Sequence, residues 1–332
     1  MQRWFTDLAT TAGEMRELNE RAIAVFEQSG DVAGLARAWR HLGYVHQFAL
    51  RWEDEREALE RALVYAQQAQ DEREARRIRG GLVNALVWGP IPALEALGRL
   101  EQMLADVRTK PYSSAYVLEA MGFLRAIDGE FDEARRLFAE GQAILTDLGL
   151  SFRIATATLF SGPGELLAGA PAEAEALLRS ACEVLEAHGE TGVRATLHGF
   201  HAEALYRLGR YEEAERATRD SEETASPDDL VSHVLWRTVR AKIAADRRNH
   251  ELAARLSDEA LELLSGSDWL DLRGDVLMDR AAVVRAAGRV DEARPCIAEA
   301  LQLYEQKGNV VSAARAKREL EELPEGFRSA PA

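Results

Sequence analysis

A repeat of about 40 residues constrains this chain more than any other feature. Residues 300–311 read ALQLYEQKGNVV, and residues 22–33, almost the full length of the protein away, read AIAVFEQSGDVA. The same position recurs between them at intervals of 38 to 41 residues, at Ala62, Met103, Gly141, Ala181, Ser221 and Ala260. A fixed period of this size is the signature of a stacked repeat array. The sequence therefore predicts a helical solenoid.

A second motif repeats in step with the first and marks a turn between two helices. It reads GEFDEA at 129–134, GRYEEA at 209–214 and GRVDEA at 288–293, with weaker copies at 169–174 and 248–253. The glycine favours the left-handed conformation that ends a helix, and the acidic pair favours the positive end of the next helix. The alanine allows two helices to approach closely. Each repeat is thus predicted to be a helical hairpin.

These positions resemble tetratricopeptide repeats (TPRs). Trp39, Leu42 and Gly43 match the bulky residue and Leu-Gly pair of the family's first helix, Trp52 follows in the turn, and 58–62 fall in the second helix. The usual period is 34 residues, so both helices should be longer here. The resemblance implies an all-α, right-handed superhelical solenoid of about seven TPR-like hairpins with a C-terminal capping helix. The hairpins are predicted to begin near Leu35, Glu74, Ser113, Ser151, Thr191, Asp229 and Leu270.

The predicted organisation is a single solenoid over residues 1–323. Residues 1–34 form an incomplete first repeat, residues 310–323 a polar-faced cap, and residues 324–332 a flexible tail. Three segments (84–90, 234–238 and 304–311) also resemble the C-terminal helical region of actinobacterial regulators that carry a class III adenylate cyclase domain and a STAND-type ATPase domain. That resemblance implies a sensor arm separated from its catalytic domains.

Composition narrows the function classes. A formal charge of −15 argues against nucleic acid as a partner, because contact with phosphates needs a basic face. No stretch approaches the roughly 20 apolar residues of a membrane helix, so no membrane partner is expected. The two cysteines, Cys182 and Cys296, fall in the second helices of different repeats and suit a reducing compartment. The expectation is a cytoplasmic protein.

Local motifs give little support to catalysis or to a cofactor. There is no phosphate-binding loop, zinc-binding His-Glu-x-x-His helix, nucleophile elbow or paired-cysteine metal site. His198 and His201 lie three residues apart and could form half of a metal site, but spacing indicates no third ligand. We therefore expect no cofactor and no metal. Gly162-Pro163-Gly164 is interpreted as a kink or a helix restart rather than as a phosphate cradle.

The repeat register predicts a binding surface, because the first helices line the concave face of TPR arrays. Residues in that register mix aromatic side chains with charges of both signs, as expected of a specific binding surface rather than a packing row. The candidate ligand- or partner-binding residues are Arg40, Tyr44, Asn84, Trp88, Glu119, Phe123, Glu203, Tyr206, Thr238 and Lys242. Within this set, Trp88, Tyr44, Asn84 and Phe123 could form an aromatic pocket with Arg40 at its rim, suited to a small acidic ligand. Alternatively, Trp88 only fills the core.

Two function classes remain open. The favoured one is a non-enzymatic binding module or scaffold that recognises a peptide, a protein segment or a small effector, as the sensing part of a signalling regulator. The alternative is an enzyme whose active site lies in the groove, with His201, Glu203, Tyr206 or Glu119 as acid–base candidates. A homodimer is a further possibility, because the apolar side of residues 15–26 is uncovered unless the segment from Trp4 to Leu8 folds back over it.

Overall fold

The fold is built entirely from helices in the part of the chain that the structure describes. The computed structural model describes residues 12–323, of which 84% lie in 16 helices and none in strands. The helices are α1 (Ala12–Ser29), α2 (Val32–Phe48), α3 (Trp52–Gln68), α4 (Glu72–Trp88), α5 (Ala93–Val107), α6 (Pro111–Ile127), α7 (Phe131–Asp147), α8 (Ser151–Leu167), α9 (Pro171–Ala187), α10 (Gly192–Arg207), α11 (Tyr211–Thr224), α12 (Leu230–Asp246), α13 (His250–Leu263), α14 (Leu270–Ala286), α15 (Val290–Lys307) and α16 (Val310–Glu322).

Helices α2 to α15 pair into seven consecutive antiparallel hairpins, with α1 before them and α16 after them. The first helix of each hairpin begins within three residues of the position that the repeat predicted. The predicted all-α solenoid of TPR-like hairpins is confirmed. The expected tail from residue 324 and the segment from Trp4 to Leu8 lie outside the described residues. No helix between residues 12 and 323 combines the length and the apolar character that crossing a membrane requires.

Small residues set the spacing within each hairpin. A Cβ atom added to Gly43, Gly122 or Gly162 would lie within about 3 Å of a large side chain on the second helix of the same hairpin. Those side chains are Leu59, Phe138 and Leu178. The alanine that follows each turn is fully or almost fully buried, at Ala96, Ala134, Ala174, Ala214, Ala253 and Ala293. Tight packing therefore explains both repeating small positions.

The Gly-Pro-Gly segment lies inside an unbroken helix, so the predicted helix restart is wrong. Helix α8 continues from Ser151 to Leu167 with Pro163 in its interior. Both glycines are explained by neighbours: Leu178 packs against Gly162, and a Cβ on Gly164 would lie 3.2 Å from the Phe138 ring. The segment therefore serves packing, and Pro163 faces the interior of the superhelix.

The superhelix closes on itself, which the repeat pattern did not predict. Both carboxylate oxygens of Asp268 accept hydrogen bonds from the first backbone N–H groups of α3, those of Trp52 (2.8 Å) and Glu53 (2.9 Å). The helix lacks a side-chain cap of its own at Arg51. Leu50 accepts hydrogen bonds from the Asp268 backbone N–H and the Ser267 hydroxyl. Asp268 therefore caps a helix that lies more than 200 residues earlier in the chain.

Two further contacts complete the closure. The buried ammonium of Lys307, at the end of α15, donates to the carbonyl oxygens of Gly89 (2.7 Å) and Ile91 (3.0 Å). Leu50 and Trp52 share an apolar core with residues of α12, α13 and α14. Leu50 adopts a positive φ of 53°, which an L-residue rarely does, and its side chain is 98% buried in this interface. Burial of that side chain offsets the cost of the strained backbone.

Candidate functional site: the central cavity

The closed superhelix contains a partly open cavity of about 300 Å³, termed here the central cavity. Its walls come from the first helices of consecutive hairpins (α4, α6, α8, α10, α12 and α14) and from the capping helix α16. One wall is apolar and includes Trp88, Phe123, Phe200 and Trp269. The charged part of the lining, called here the charged wall, includes Glu203, Arg207, Asp271, Asp275, Asp279, Arg315 and Arg318. A mostly apolar site with a few converging polar groups is the usual form of a ligand pocket.

Trp88 is the centre of the aromatic wall. Its ring lies 4.8 Å from that of Phe123, 5.6 Å from that of Phe160 in a stacked arrangement, and 4.9 Å from that of Trp269. Trp269 in turn meets the Trp52 ring edge to face at 5.4 Å. Rings in such contacts hold one another rigidly. Trp88 therefore both packs in the core and presents a fixed apolar face to the cavity.

A buried ion network lies beside the aromatic wall. The Lys242 ammonium contacts Glu203 Oε2 at 2.5 Å and Asp279 Oδ2 at 3.0 Å, and Arg207 donates to Glu203 Oε1 at 2.7 Å. Burial opposes ionisation of Glu203, but Lys242 and Arg207 outweigh it and lower the pKa of that carboxyl. Burial raises the pKa of Asp279 in spite of Lys242. Glu203 is therefore a charged anchor of this network.

The other two carboxylates of the charged wall also have hydrogen-bond partners. Asp271 accepts from the Asn309 side-chain amide at 3.0 Å, and burial raises its pKa to about 6. Asp275 accepts from the Tyr304 hydroxyl at 2.6 Å. Together with Asp279, these residues occur every fourth position along α14, which places them on one face of the helix. Each carboxylate that lines the cavity therefore has at least one hydrogen-bond or ion-pair partner.

The arginines of α16 are different, because they have donors to spare. Nε of Arg315 is buried without a hydrogen-bond partner, and the guanidinium comes only within 3.8 Å of Asp275. Arg318, one turn further along, is exposed and makes no hydrogen bond or ion pair within residues 12–323. The charged wall thus retains arginine N–H groups that can donate to a ligand.

Five of the ten predicted binding residues belong to this site. Trp88, Phe123, Glu203 and Thr238 line the central cavity, and Lys242 stands directly behind Glu203. Tyr206 is next to them, since the Lys242 ammonium lies 4.9 Å from the centre of its ring. Four of the residues that the repeat register predicted therefore line the cavity.

The remaining four predicted residues lie elsewhere and do not line the central cavity. Arg40 is 97% buried and donates to Glu74 at 2.6 Å, so it is not at the rim of a pocket with Trp88. Tyr44 packs beside the Arg40 guanidinium. Asn84 accepts a hydrogen bond from the Tyr116 hydroxyl at 2.5 Å. Glu119 lines a separate pocket of about 170 Å³, and burial raises its pKa to about 8.

The two candidate histidines lie outside the central cavity. His201 Nε2 is 3.5 Å from Glu175 Oε1, while Nδ1 of His198 is buried without a partner. Burial lowers the pKa of both imidazoles. No group of three or more metal-ligating side chains occurs among residues 12–323.

Sequence reasoning missed the C-terminal part of the site, although two signals were present. The spacing of Asp271, Asp275 and Asp279 predicts one acidic helix face, and the three-residue step from Arg315 to Arg318 predicts two arginines on one side of α16. Neither spacing indicates that these faces point at Trp88. That juxtaposition depends on the closure of the superhelix.

Similarity to known proteins is confined to the fold. No protein-family model and no curated protein matches the chain. Among solved structures, NprR in complex with its cognate peptide NprX has a TM-score of 0.56 at 15% identity, covering 85% of this chain and 86% of that one. The apo form of the quorum sensor NprR from B. thuringiensis gives a TM-score of 0.48 at 14% identity, with 82% of each chain covered. The P58(IPK) TPR domain gives 0.29 at 14% identity, covering 94% of this chain and 99% of that one.

Proposed function

We propose that this protein is a non-enzymatic binding module that takes up a segment of a peptide or protein partner in the central cavity. The observation that carries the proposal is the cavity itself, with its rigid aromatic wall and its arginine donors without partners. A cavity of about 300 Å³ is at the lower end of ligand pockets, and it can accept one large side chain and the groups next to it.

The relation to NprR supports a peptide as the occupant. That protein, in complex with its cognate peptide, shares the solenoid architecture over most of both chains. Helical repeat arrays offer extended inner surfaces that suit a polypeptide segment. The proposal for this chain rests on its own cavity, and the fold comparison supports it.

Binding is favoured over catalysis by the state of the polar groups. Glu203, the enzyme alternative's strongest candidate, is held by Lys242 and Arg207, and its lowered pKa makes it a poor proton donor or acceptor near neutral pH. Glu119 belongs to a different pocket. The candidate acid–base groups therefore do not converge on one reacting position.

We further propose that binding serves a sensing role in a cytoplasmic signalling regulator. The resemblance to cyclase–ATPase regulators remains a prediction, as does a small acidic effector as an alternative occupant. The wider proposal depends on which partner the cavity accepts, so the cavity must be tested first.

Filling the cavity tests the function directly. Thr238 is 94% buried and lines the cavity, so Thr238→Phe should occlude it. Peptides are selected from a random displayed library on the unmodified protein, and their Kd is measured by fluorescence anisotropy. We expect at least a tenfold loss of affinity in Thr238→Phe and none in Thr146→Phe, which adds the same ring to an exposed position on α7. Equal affinities in all three proteins would refute the central cavity as the binding site.

A further inference from the structure

We infer that the central cavity selects an acidic segment of polypeptide, in which a carboxylate side chain lies next to a large aromatic or apolar side chain. This inference rests on the proposed binding function and adds the chemistry of the occupant. It depends on two features of the cavity: the arginine donors that have no hydrogen-bond partner, and the small volume that the apolar and charged residues line together.

The arginines of the charged wall retain unused hydrogen-bond donors. Every carboxylate there already has a partner: Lys242 and Arg207 for Glu203, Lys242 for Asp279, Tyr304 for Asp275 and Asn309 for Asp271. Arg315 Nε has none, and Arg318 has none in the described part of the chain. The Arg315 side chain is 39% exposed and Arg318 is exposed, so the guanidinium groups are accessible to a ligand acceptor. The acceptor that an arginine pair binds best is a carboxylate.

The apolar wall specifies the other half of the occupant. Trp88 and Trp269, held in mutual contact, line the same cavity as Arg315 and Arg318. In a cavity of about 300 Å³, an apolar group on the tryptophan rings and an anionic group on the arginines must lie close together in the same ligand. Adjacent aromatic and acidic residues of a peptide satisfy that geometry.

A ligand with an amine is the main alternative to a ligand with a carboxylate. The charge of the ligand therefore distinguishes the two possibilities. Asp271, Asp275 and Asp279 line the cavity, and the whole chain carries a formal charge of −15. Long-range attraction therefore favours a cationic ligand, whereas the local arginine donors favour an anionic one. A preference for the anionic ligand would therefore have to come from local groups, of which Arg315 and Arg318 are the candidates.

Three blocked dipeptides separate these cases: acetyl-Phe-Glu-amide, acetyl-Phe-Gln-amide and acetyl-Phe-Lys-amide. Their binding to the full chain is measured by the change in protein tryptophan fluorescence, because Trp88 and Trp269 line the cavity. We expect the glutamate peptide to bind at least tenfold more tightly than the glutamine peptide, and the lysine peptide to bind most weakly. In Arg315→Gln and in Arg318→Gln the preference for glutamate should shrink severalfold, with an unchanged circular dichroism spectrum.

Arg136→Gln is the matched control, because Arg136 lies on α7 with its side chain 58% exposed and outside the cavity. It should leave all three affinities unchanged. Equal or tighter binding of the lysine peptide overturns the inference, as does a glutamate preference that survives both cavity variants. Failure of all three peptides to bind a folded protein overturns it as well. The proposed function fails separately, if selected peptides bind Thr238→Phe as tightly as the unmodified protein.

Discussion

At the scale of single residues, Glu55 departs most clearly from the repeat. It occupies the position after the turn where the other hairpins carry alanine, and it is completely buried in α3. Neither carboxylate oxygen has a hydrogen-bond partner. Burial, reinforced by the nearby Asp268, raises the pKa of Glu55 well above its ordinary value. An unpaired carboxyl in such a place costs about 1–3 kcal/mol even when neutral.

The raised pKa of Glu55 determines how the stability of the protein changes with pH. A carboxyl whose pKa is higher in the folded than in the unfolded state retains its proton on folding, so stability falls as the pH rises above the ordinary glutamate pKa. Glu55→Gln removes this titration and keeps the shape of the side chain. Relative to the unmodified protein, Glu55→Gln should therefore gain stability progressively as the pH rises above about 4.

Urea unfolding at several pH values measures this difference. Glu57→Gln, which removes an exposed charge from the same helix, is the matched control. A Glu55→Gln difference that is flat with pH would show that the pKa of Glu55 is not raised in the folded protein.

At the scale of the helical hairpin, close packing makes the repeat sensitive to side-chain size. Ala214 is completely buried at the start of α11, where that helix meets α10. Ala214→Leu should overpack this contact and destabilise the protein by about 1–3 kcal/mol. Glu212→Ala, two residues earlier on the exposed surface, should cost well under 1 kcal/mol. Thermal unfolding monitored by circular dichroism compares the two, and similar small losses would contradict the assigned register.

The first helix carries a separate prediction about assembly. Leu18 and Val25 of α1 are 51% and 60% exposed, and exposed apolar surface at the edge of a repeat array favours association. The predicted homodimer would use this edge, with two-fold symmetry as the simplest closed form. Light scattering should then show a dimer that Leu18→Glu dissociates. A monomer at high concentration would show that the edge does not mediate association.

Hairpins could be predicted from the sequence because each depends on residues close together in the chain. The turn glycine, the acidic pair and the small packing residues lie within one repeat, and the structure uses them as expected. The cavity could be predicted only in part. Trp88 and Phe123 follow from the repeat register, whereas Trp269 and Arg315 reach them through small rotations that accumulate over several repeats. The total rotation over several repeats cannot be read from any local sequence pattern.

At the scale of the whole molecule, closure converts an open array into a ring with an interior. The contacts that close it are few and specific: the Asp268 cap on α3, the Lys307 ammonium on two carbonyl oxygens, and the apolar core around Leu50 and Trp52. The Trp269 ring adds to them through its contacts with Trp52 and Trp88. The shape of the central cavity therefore depends on contacts outside it.

Removing the closing contacts should open the ring without melting the hairpins. In the double variant Asp268→Ala/Lys307→Met, α3 loses the cap that Asp268 provides, which costs about 0.5–2 kcal/mol, and the carbonyl oxygens of Gly89 and Ile91 lose their donor. Small-angle scattering should show a larger radius of gyration, with the helical circular dichroism signal retained. Hydrogen exchange should accelerate at the backbone amides of Trp52 and Glu53.

Asp229→Ala is the control that distinguishes the loss of ring closure from the loss of an ordinary helix cap. Asp229 caps its own helix: its carboxylate accepts from the Ser232 backbone N–H at 3.1 Å and from the Ser232 hydroxyl at 2.6 Å. This variant should lose a similar amount of stability and keep the original radius of gyration. Equal expansion of both variants would mean that any lost cap loosens the array. Expansion confined to the Asp268→Ala/Lys307→Met protein, with weaker peptide binding, would tie the cavity to the closed ring.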